Sequence, residues 1–364
     1  MLGPAALRAL AKGCAILGAG GGGDPYLGLL QALQATRDHG PVPLTDLDEL
    51  PDDALIMPCG MIGAPTVHIE KIENGGEGGR LLEHLEQLAG RPVAALMPAE
   101  IGGSNGLVPI SWAARLRLPI VDADGMGRAF PEVPQVTMQL AGITPTPCVM
   151  TDERGNLAVF RTISGGWLER LARAAAVEFG GTAAAAEYTM TVAQARSATV
   201  RGSVSLAIRI GQAVLAAADG PGDGPIGALL AELAPMGAFR LVTGKVADVE
   251  RRTTKGFARG CVLVEGFGGD RGRLVRLELQ NENLVAVEGG RVRASVPDLI
   301  CVLDTETAEA IATERVRYGQ RVTVIALRCD PVWRTALGLR AAGPRAFGYD
   351  FDYVPVEELA GAFA

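Results

Sequence analysis

The chain has 364 residues, of which 48% are hydrophobic, and a formal net charge of −7. This length exceeds what one hydrophobic core usually spans, so we expect two domains. The acidic balance and the lack of a basic block in the sequence argue against a nucleic-acid-binding protein. No apolar run approaches the roughly 20 residues of a membrane span, and the N-terminus lacks a signal-peptide pattern. We therefore expect a cytoplasmic protein with no membrane contact.

The six cysteines are scattered, and no two form a C-x-x-C pair. They are Cys14, Cys59, Cys148, Cys261, Cys301 and Cys329. This pattern is typical of reduced, mostly buried thiols and disfavours a disulfide scaffold or a structural zinc.

The first 165 residues repeat one pattern, in which a short apolar segment leads into a glycine-rich loop. The predicted strands are residues 14–18, 54–58, 93–98 and 119–121, and the predicted helices are residues 26–36, 78–88 and 109–116. This alternation predicts a largely parallel α/β sheet. Because ligands bind at the carboxyl ends of such strands, the four loops predict a site on one edge.

From residue 166 the pattern changes. A helix is predicted over residues 167–179, an alanine-rich joint over 180–186, and further helices over 204–218 and 226–234. Alternating apolar residues from position 239 onward predict a mainly-β barrel or sandwich. We therefore place an α/β domain at residues 1–165 and a β-rich domain with a few helices at 166–364. The aromatic-rich tail, 343–364, is expected to pack back on the first domain.

The sequence GAGGGGDP at residues 18–25 is the most unusual stretch. Its substrate-binding candidates are Gly20, Gly21, Gly22 and Gly23. The run fits the dinucleotide pattern G-x-G-x-x-G only if residues 14–17 form a strand, and no acidic residue follows at the ribose distance. Asp24 is either a helix N-cap followed by Pro25 at the first helical position, or a catalytic or ligand-orienting carboxylate.

Residues 100–105, EIGGSN, follow the third predicted strand. Glu100 offers a base or acceptor, Asn105 offers an amide, and Gly102 and Gly103 allow backbone N–H groups to face a ligand. A plain turn would have the same sequence.

Asp122 and Asp124 are two residues apart, so in an extended segment both face one side. They could share a proton, hold a cation with Glu100, or pair with Arg128. An Asx turn with an exposed salt bridge is the alternative.

Other candidates are weaker. His68 could act as a base oriented by Glu70, or be structural. Cys59 could be a nucleophile, but no base partner is evident, which favours a buried thiol. Residues 280–283, QNEN, are either an exposed hairpin or a polar patch facing an interdomain cleft. Residues 251–257 form a basic turn that could hold an anion or be simply solvated.

Several blocks of the chain resemble the S-methyl thiohydantoin desulfurase-like family, formerly a domain of unknown function associated with hydantoinase/oxoprolinase. The resemblance covers nearly the whole chain. The blocks are GAGGGGDPYLG (18–28), GMIGAPTVHIEK (60–71), EIGGSNGLVP (100–109), LPIVDADGMGRAFPE (118–132), PDLICVLD (297–304), RYGQRVTVIAL (317–327) and GPRAFGYDFDYVPVE (343–357).

This resemblance implies a two-domain hydrolase that acts on a hydantoin-type ring. Water would replace an S-methyl group at the ring carbon between two nitrogens, and methanethiol would be released. The residues that match the family motifs are Gly20, Gly21, Gly22, Gly23, Asp24, Glu70, Glu100, Asn105, Asp122, Asp124 and Arg128.

For this reaction we assign the base to Glu100 or Asp122 and the proton shuttle to Asp124. The amides of residues 20–23 and 102–103 would clamp the ring, with electrostatic support from Arg128. No cofactor is predicted, and a divalent metal stays open. The expected partners are a small-molecule substrate, a hydantoinase/oxoprolinase component and a second copy of the chain. The alternatives are a non-catalytic subunit of such a system and a nucleotide-dependent oxidoreductase.

Overall fold

The computed structural model describes residues 1–64, 67, 70–217, 224–254 and 257–361. His68 lies outside these residues, so its role stays a prediction. The described helices are α1 (Pro4–Leu17), α2 (Pro25–His39), α3 (Glu77–Ala89), α4 (Val108–Leu116), α5 (Thr137–Leu140), α6 (Gly165–Glu178), α7 (Val192–Ala198), α8 (Ser203–Ala217), α9 (Gly224–Leu233), α10 (Ala336–Ala342) and α11 (Val356–Gly361).

The first sheet is mixed, which corrects the prediction of a largely parallel sheet. Its strands are β1 (Leu44–Thr45), β2 (Leu55–Gly63), β3 (Val93–Pro98), β4 (Ile120–Val121), β6 (Cys148–Thr151), β7 (Leu157–Phe160), β8 (Thr182–Ala186) and β9 (Met190–Thr191). The order is β1-β4-β3-β2-β8-β6-β7, and β9 pairs with β2. In this order, β1, β4, β3 and β2 pair in parallel with their neighbours. The pairs β2–β8, β8–β6, β6–β7 and β2–β9 are antiparallel. Strands β5 (Ala123–Asp124) and β10 (Val200–Arg201) form a separate short pair.

Residues 14–17, predicted as a strand, are the last turn of α1. Pro4 begins this helix, and its buried face packs on α8 so closely that a Cβ at Gly13 would lie 1.8 Å from the Ala207 carbonyl oxygen. A four-residue apolar run fits a buried helix as well as a strand. The glycine run therefore follows a helix, and the strand that a dinucleotide fingerprint requires is absent. The interpretation as a nucleotide-dependent oxidoreductase loses its basis.

The alanine-rich segment predicted as a joint also differs. Residues 182–186 are the buried strand β8, which lies between β2 and β6 in the first sheet. The five-residue strand follows helix α6, the helix predicted at 167–179. The first sheet thus takes strands from both sides of residue 165, and the domain limits 1–165 and 166–364 stay a prediction.

The second sheet is antiparallel and curled. Its strands are β11 (Phe239–Thr254), β12 (Phe257–Gly266), β13 (Leu274–Gln280), β14 (Glu282–Glu288), β15 (Arg291–Ser295), β16 (Leu299–Asp304) and β17 (Arg321–Leu327), in the order β15-β14-β13-β12-β11-β17-β16. The ends of the sheet approach each other, since the Asn283 side-chain amide on β14 donates to the Ile300 carbonyl oxygen on β16 at 3.1 Å. The β-rich second half is therefore confirmed.

Buried side chains from both halves of the chain form one continuous core that includes Leu10, Met97, Leu284 and Trp333. In the tail, the Tyr353 hydroxyl donates to the buried Asp298 carboxylate directly before β16, which ties this segment to the β-rich sheet. Across the described ranges, none of the helices has the length and apolar character needed to cross a membrane.

Candidate active site

A cavity of about 120 Å³ lies where the strand ends of the first sheet meet the β13–β14 hairpin of the second. Its lining includes Gly22, Gly23, Gly60, Met61, Ala99, Glu100, Ser104, Asn105, Met126, Phe130, Glu132, Arg173, Glu187, Asn281 and Glu282. Because a dry cavity of about 150 Å³ holds benzene, this space suits a five-membered ring. The cavity mixes apolar walls with several carboxyl groups.

Glu100 and Asn105 lie together in this cavity, as their shared loop predicts. The Asn105 side-chain amide donates to Glu100 Oε1 at 2.7 Å, and its own oxygen accepts from the Met61 backbone N–H at 2.7 Å. Glu100 is 7% exposed, and its second oxygen, Oε2, has no hydrogen-bond partner in the described structure. Burial raises the pKa of the Glu100 carboxyl to about 8, although Asn105 lowers it. Glu100 can therefore exchange a proton near neutral pH.

Glu282 was not among the predicted catalytic residues. It lines the cavity and is 2% exposed, and its Oε2 likewise lacks a partner among the described atoms. Burial, followed by the charge of Glu100, raises the pKa of Glu282 well above its ordinary value. Of residues 280–283, Asn281 and Glu282 line this cavity, which agrees with the polar-patch interpretation rather than with an exposed hairpin. Two buried carboxyl groups thus share one cavity, and a negative charge on one of them disfavours ionisation of the other.

The glycines of the run leave space for the side chains of the β13–β14 hairpin, and not for the pyrophosphate of a dinucleotide. A Cβ at Gly21 would lie 2.1 Å from Glu282 Oε1, and a Cβ at Gly20 would lie 2.7 Å from the Asn283 amide nitrogen. Gly20 also has a φ of +91°, which disfavours other residues. These two glycines therefore let the second sheet bring Glu282 to the cavity, and they lie behind its lining.

Gly22 and Gly23 line the cavity themselves. Both have positive φ, and a Cβ at Gly22 would lie 2.4 Å from the Gly102 carbonyl oxygen. Within the described ranges no acceptor binds the N–H group of either residue. Gly102 and Gly103 pack against the run and do not appear in the cavity lining. The amides that can hold a ligand are therefore those of Gly22 and Gly23.

Asp24 is the N-cap of α2, as one of the two interpretations predicts. Its carboxylate accepts from the Tyr26 N–H at 2.9 Å, and Pro25 occupies the first helical position. The carboxylate also forms an ion pair with Arg315 and is not part of the cavity lining. Asp24 therefore fixes the end of the glycine run.

Asp122 and Asp124 have separate partners and do not line the cavity. Asp122 accepts hydrogen bonds from the backbone and hydroxyl of Ser205 at the start of α8. Asp124 is fully buried and accepts from the N–H groups of Ile101 and Gly127, each at 2.8 Å. Burial raises the pKa of Asp124 to about 7, opposed by these N–H donors. Asp124 thus holds the loop that carries Glu100.

Arg128 is 1% exposed and lies behind the cavity. Its guanidinium donates to the Pro297 and Asp298 carbonyl oxygens, and its central carbon lies 4.5 Å from the ring centre of Phe130, a cavity residue. Burial lowers the pKa of Arg128, while the charge of Glu282 raises it. The predicted ion pair with Asp122 or Asp124 is not formed, and Arg128 acts on the cavity only through Phe130 and long-range charge.

Three further predictions can be compared with the structure. In its described part, no group of three His, Cys, Asp or Glu side chains is arranged to hold a metal ion, and this applies to Glu100, Asp122 and Asp124, for which a cation had been left open. Cys59 is buried, and burial raises the pKa of its thiol, which confirms the buried-thiol interpretation. Glu70, a substrate-binding candidate among the residues that match the family motifs, is exposed and not part of the cavity lining.

Sequence reasoning also missed Glu132, Glu187 and Arg173. All three line the cavity, and burial raises the pKa of Glu187 to about 7. Arg173, from α6, donates to Glu169 and to the Pro131 carbonyl oxygen. No local motif marks these residues, since Glu187 follows a strand that was predicted as a joint.

Comparisons with known proteins agree with this architecture. A crystal structure of a protein from Chromobacterium violaceum, from the Northeast Structural Genomics Consortium, superposes with a TM-score of 0.83 at 25% identity, covering 98% of this chain and 99% of that chain. No functionally curated protein matches the chain. The model of the S-Me-THD-like N-terminal domain matches residues 5–162, and that of the C-terminal domain matches residues 163–356. The chain therefore belongs to the S-Me-THD-like family.

Proposed function

We propose that the protein hydrolyses an S-methyl thiohydantoin to the corresponding hydantoin and methanethiol. The observation that carries this proposal is the pair Glu100 and Glu282, which are buried in one ring-sized cavity with an unpartnered oxygen each. Two coupled carboxyls whose pKa values are separated provide one base and one acid. Displacement of a thiolate by water at a thioimidate carbon needs both.

The two carboxyls take different roles in this proposal. The pKa of Glu282 is raised by burial and by the charge of Glu100, so Glu282 stays protonated and serves as the acid. Glu100, with a pKa raised by burial to about 8, is the group that ionises first and accepts a proton from water. The water oxygen bonds to the ring carbon, the carbon–sulfur bond breaks, and the proton of Glu282 leaves with methanethiol. The proton held by Glu100 returns to Glu282 through the product or solvent.

The ring is held by backbone and amide groups. The N–H groups of Gly22 and Gly23 supply donors for the carbonyl oxygen attached to the ring. Asn105 orients Glu100 through its 2.7 Å hydrogen bond. Glu132 and Arg173 line both this cavity and an adjoining groove, so a substituent on the ring has room to extend outward.

The test uses the purified protein alone. S-methyl thiohydantoin is added in water enriched in ¹⁸O, methanethiol is followed with a thiol-reactive dye, and the product is analysed by mass spectrometry. We expect methanethiol and a hydantoin carrying one ¹⁸O atom. A protein that releases no methanethiol alone but does so with a hydantoinase/oxoprolinase component would instead support the role of a subunit.

A further inference from the structure

The cavity contains more carboxyl groups than hydrolysis requires. Four glutamates line it: Glu100, Glu132, Glu187 and Glu282. Arg173 is the basic side chain of the described lining, and it is already bonded to Glu169 and the Pro131 carbonyl oxygen. In the described part of the chain, no hydrogen bond or ion pair to a neighbouring side chain engages the Glu187 carboxyl. In the described lining, carboxyl groups therefore outnumber basic side chains by four to one, and the buried Arg128 guanidinium lies behind the lining.

We propose that this cavity binds its five-membered ring as a cation, and that cyclic amidines and cyclic guanidines form its ligand class. The inference rests on the proposed function only in assigning a ring to this cavity. A planar amidinium presents two N–H groups in one plane, which is the arrangement that a carboxylate binds with paired hydrogen bonds. Glu100 Oε2 and Glu282 Oε2 are buried acceptors without partners in the described structure, so they are suited to those N–H groups.

Burial governs the protonation of these carboxyl groups. An ionised carboxylate in this cavity is costly because burial removes it from water. The Arg128 guanidinium behind the cavity lowers the pKa values of Glu100 and Glu282, but burial outweighs this charge and keeps both pKa values raised, so these carboxyls retain their protons when no ligand is bound. A bound cation supplies the opposing charge, and one carboxyl then ionises to form a buried, hydrogen-bonded ion pair. A neutral ring of the same shape gains nothing comparable. The cavity should therefore discriminate between rings by charge rather than by size.

Cation binding also suits the proposed reaction. Protonation of a thioimidate ring makes the carbon between its nitrogens more electrophilic, so a site that favours the protonated ring favours attack by water. The attraction between the carboxyl groups and the ring is strongest when the ring gains positive charge on the way to the transition state. Interactions that are stronger in the transition state than in the bound substrate raise the rate. Glu187, which lies in the lining outside the proposed acid–base pair, would supply charge rather than move a proton.

Two ring compounds test the inference by isothermal titration calorimetry. 2-Aminoimidazoline is a cyclic guanidine that is protonated at neutral pH, and imidazolidin-2-one is a neutral ring of similar shape. We expect the cation to bind about tenfold more tightly or better at pH 7, as for charge-assisted hydrogen bonds. Titrations at pH 6 in two buffers of different ionisation enthalpy should show release of close to one proton with the cation and none with the neutral ring. Equal affinities, or tighter binding of the neutral ring, would overturn the inference.

Glu187→Gln is the main variant because the proposed chemistry does not use this residue as acid or base. It should weaken 2-aminoimidazoline about tenfold and leave the neutral ring within about twofold. Glu83→Gln, at an exposed position on α3, is the matched control and should change neither. If Glu187→Gln leaves the preference for the cation intact, the charge mechanism is contradicted. Because binding is measured without turnover, charge selectivity in a protein that releases no methanethiol would contradict the proposed reaction alone.

Discussion

Replacing Glu100 with glutamine should make the free energy of unfolding less sensitive to alkaline pH. Burial raises the pKa of this carboxyl from 4.5 to about 8 in the folded protein. Between these values the unfolded chain releases the proton and the folded chain keeps it, so the free energy of unfolding falls as pH rises. The stabilisation is complete below pH 4.5 and is lost as pH rises through about 8. A difference of about 3.5 pH units at about 1.36 kcal/mol each gives about 5 kcal/mol.

The Glu100→Gln protein lacks this titration but keeps an acceptor for the Asn105 amide. Urea unfolding of both proteins at half-unit intervals from pH 4.5 to 8.5 measures the difference. Titrating groups away from the cavity cancel between the two proteins, whereas Glu282 does not cancel fully, because the charge of Glu100 raises its pKa. We expect the free energy of unfolding of the variant to rise relative to that of the wild type by about 1.4 kcal/mol per pH unit, to a total of about 5 kcal/mol. Glu83→Gln, which changes an exposed residue, should show no such trend. A difference between Glu100→Gln and wild type that stays constant with pH would refute the reasoning.

Three further substitutions address the parts of the site separately. Gly21→Ala places a Cβ 2.1 Å from Glu282 Oε1, so we expect kcat to fall by about 10²-fold with an unchanged circular dichroism spectrum; normal kcat would show that the Glu282 position is unimportant. Asp124→Asn should lower the free energy of unfolding by about 2–3 kcal/mol because a buried acceptor of backbone N–H groups becomes partly a donor, and an unchanged urea midpoint would exclude this anchoring role. Cys59→Ala should keep kcat within about threefold, since burial keeps this thiol protonated, and loss of activity in a folded protein would restore the nucleophile hypothesis.

The parts of the site predicted from sequence are those set by local pattern. Strands β2 and β3 end in glycine-rich loops, so the position of Glu100 and Asn105 at a sheet edge followed from the chain alone. The N-cap interpretation of Asp24 followed from its place before Pro25, whereas the alternative interpretation as a catalytic carboxylate was wrong. Asp122 and Asp124 have the residue types of a proton shuttle, but nearby backbone and hydroxyl donors bind them, which spacing does not reveal.

What the sequence did not show depends on long-range packing. Glu282 reaches the cavity because a hairpin far along the chain docks on the glycine run, and no local signal encodes that contact. Glu187 follows β8, whose alanines have high helix propensity but lie in the middle of a buried sheet, where tertiary packing decides. The apolar end of α1 is too short for its periodicity to separate helix from strand.

We propose Glu100 and Glu282 as the acid–base pair of a hydrolase. Measurement of kcat for methanethiol release by Glu282→Gln tests this assignment most directly, because the sequence placed Glu282 only in a polar patch and the structure alone suggests a catalytic role. The substitution is nearly isosteric and removes the proton that leaves with methanethiol, so kcat should fall by about 10²- to 10⁴-fold while the melting temperature is maintained or raised. A folded Glu282→Gln protein whose kcat stays within about threefold of wild type would contradict the account.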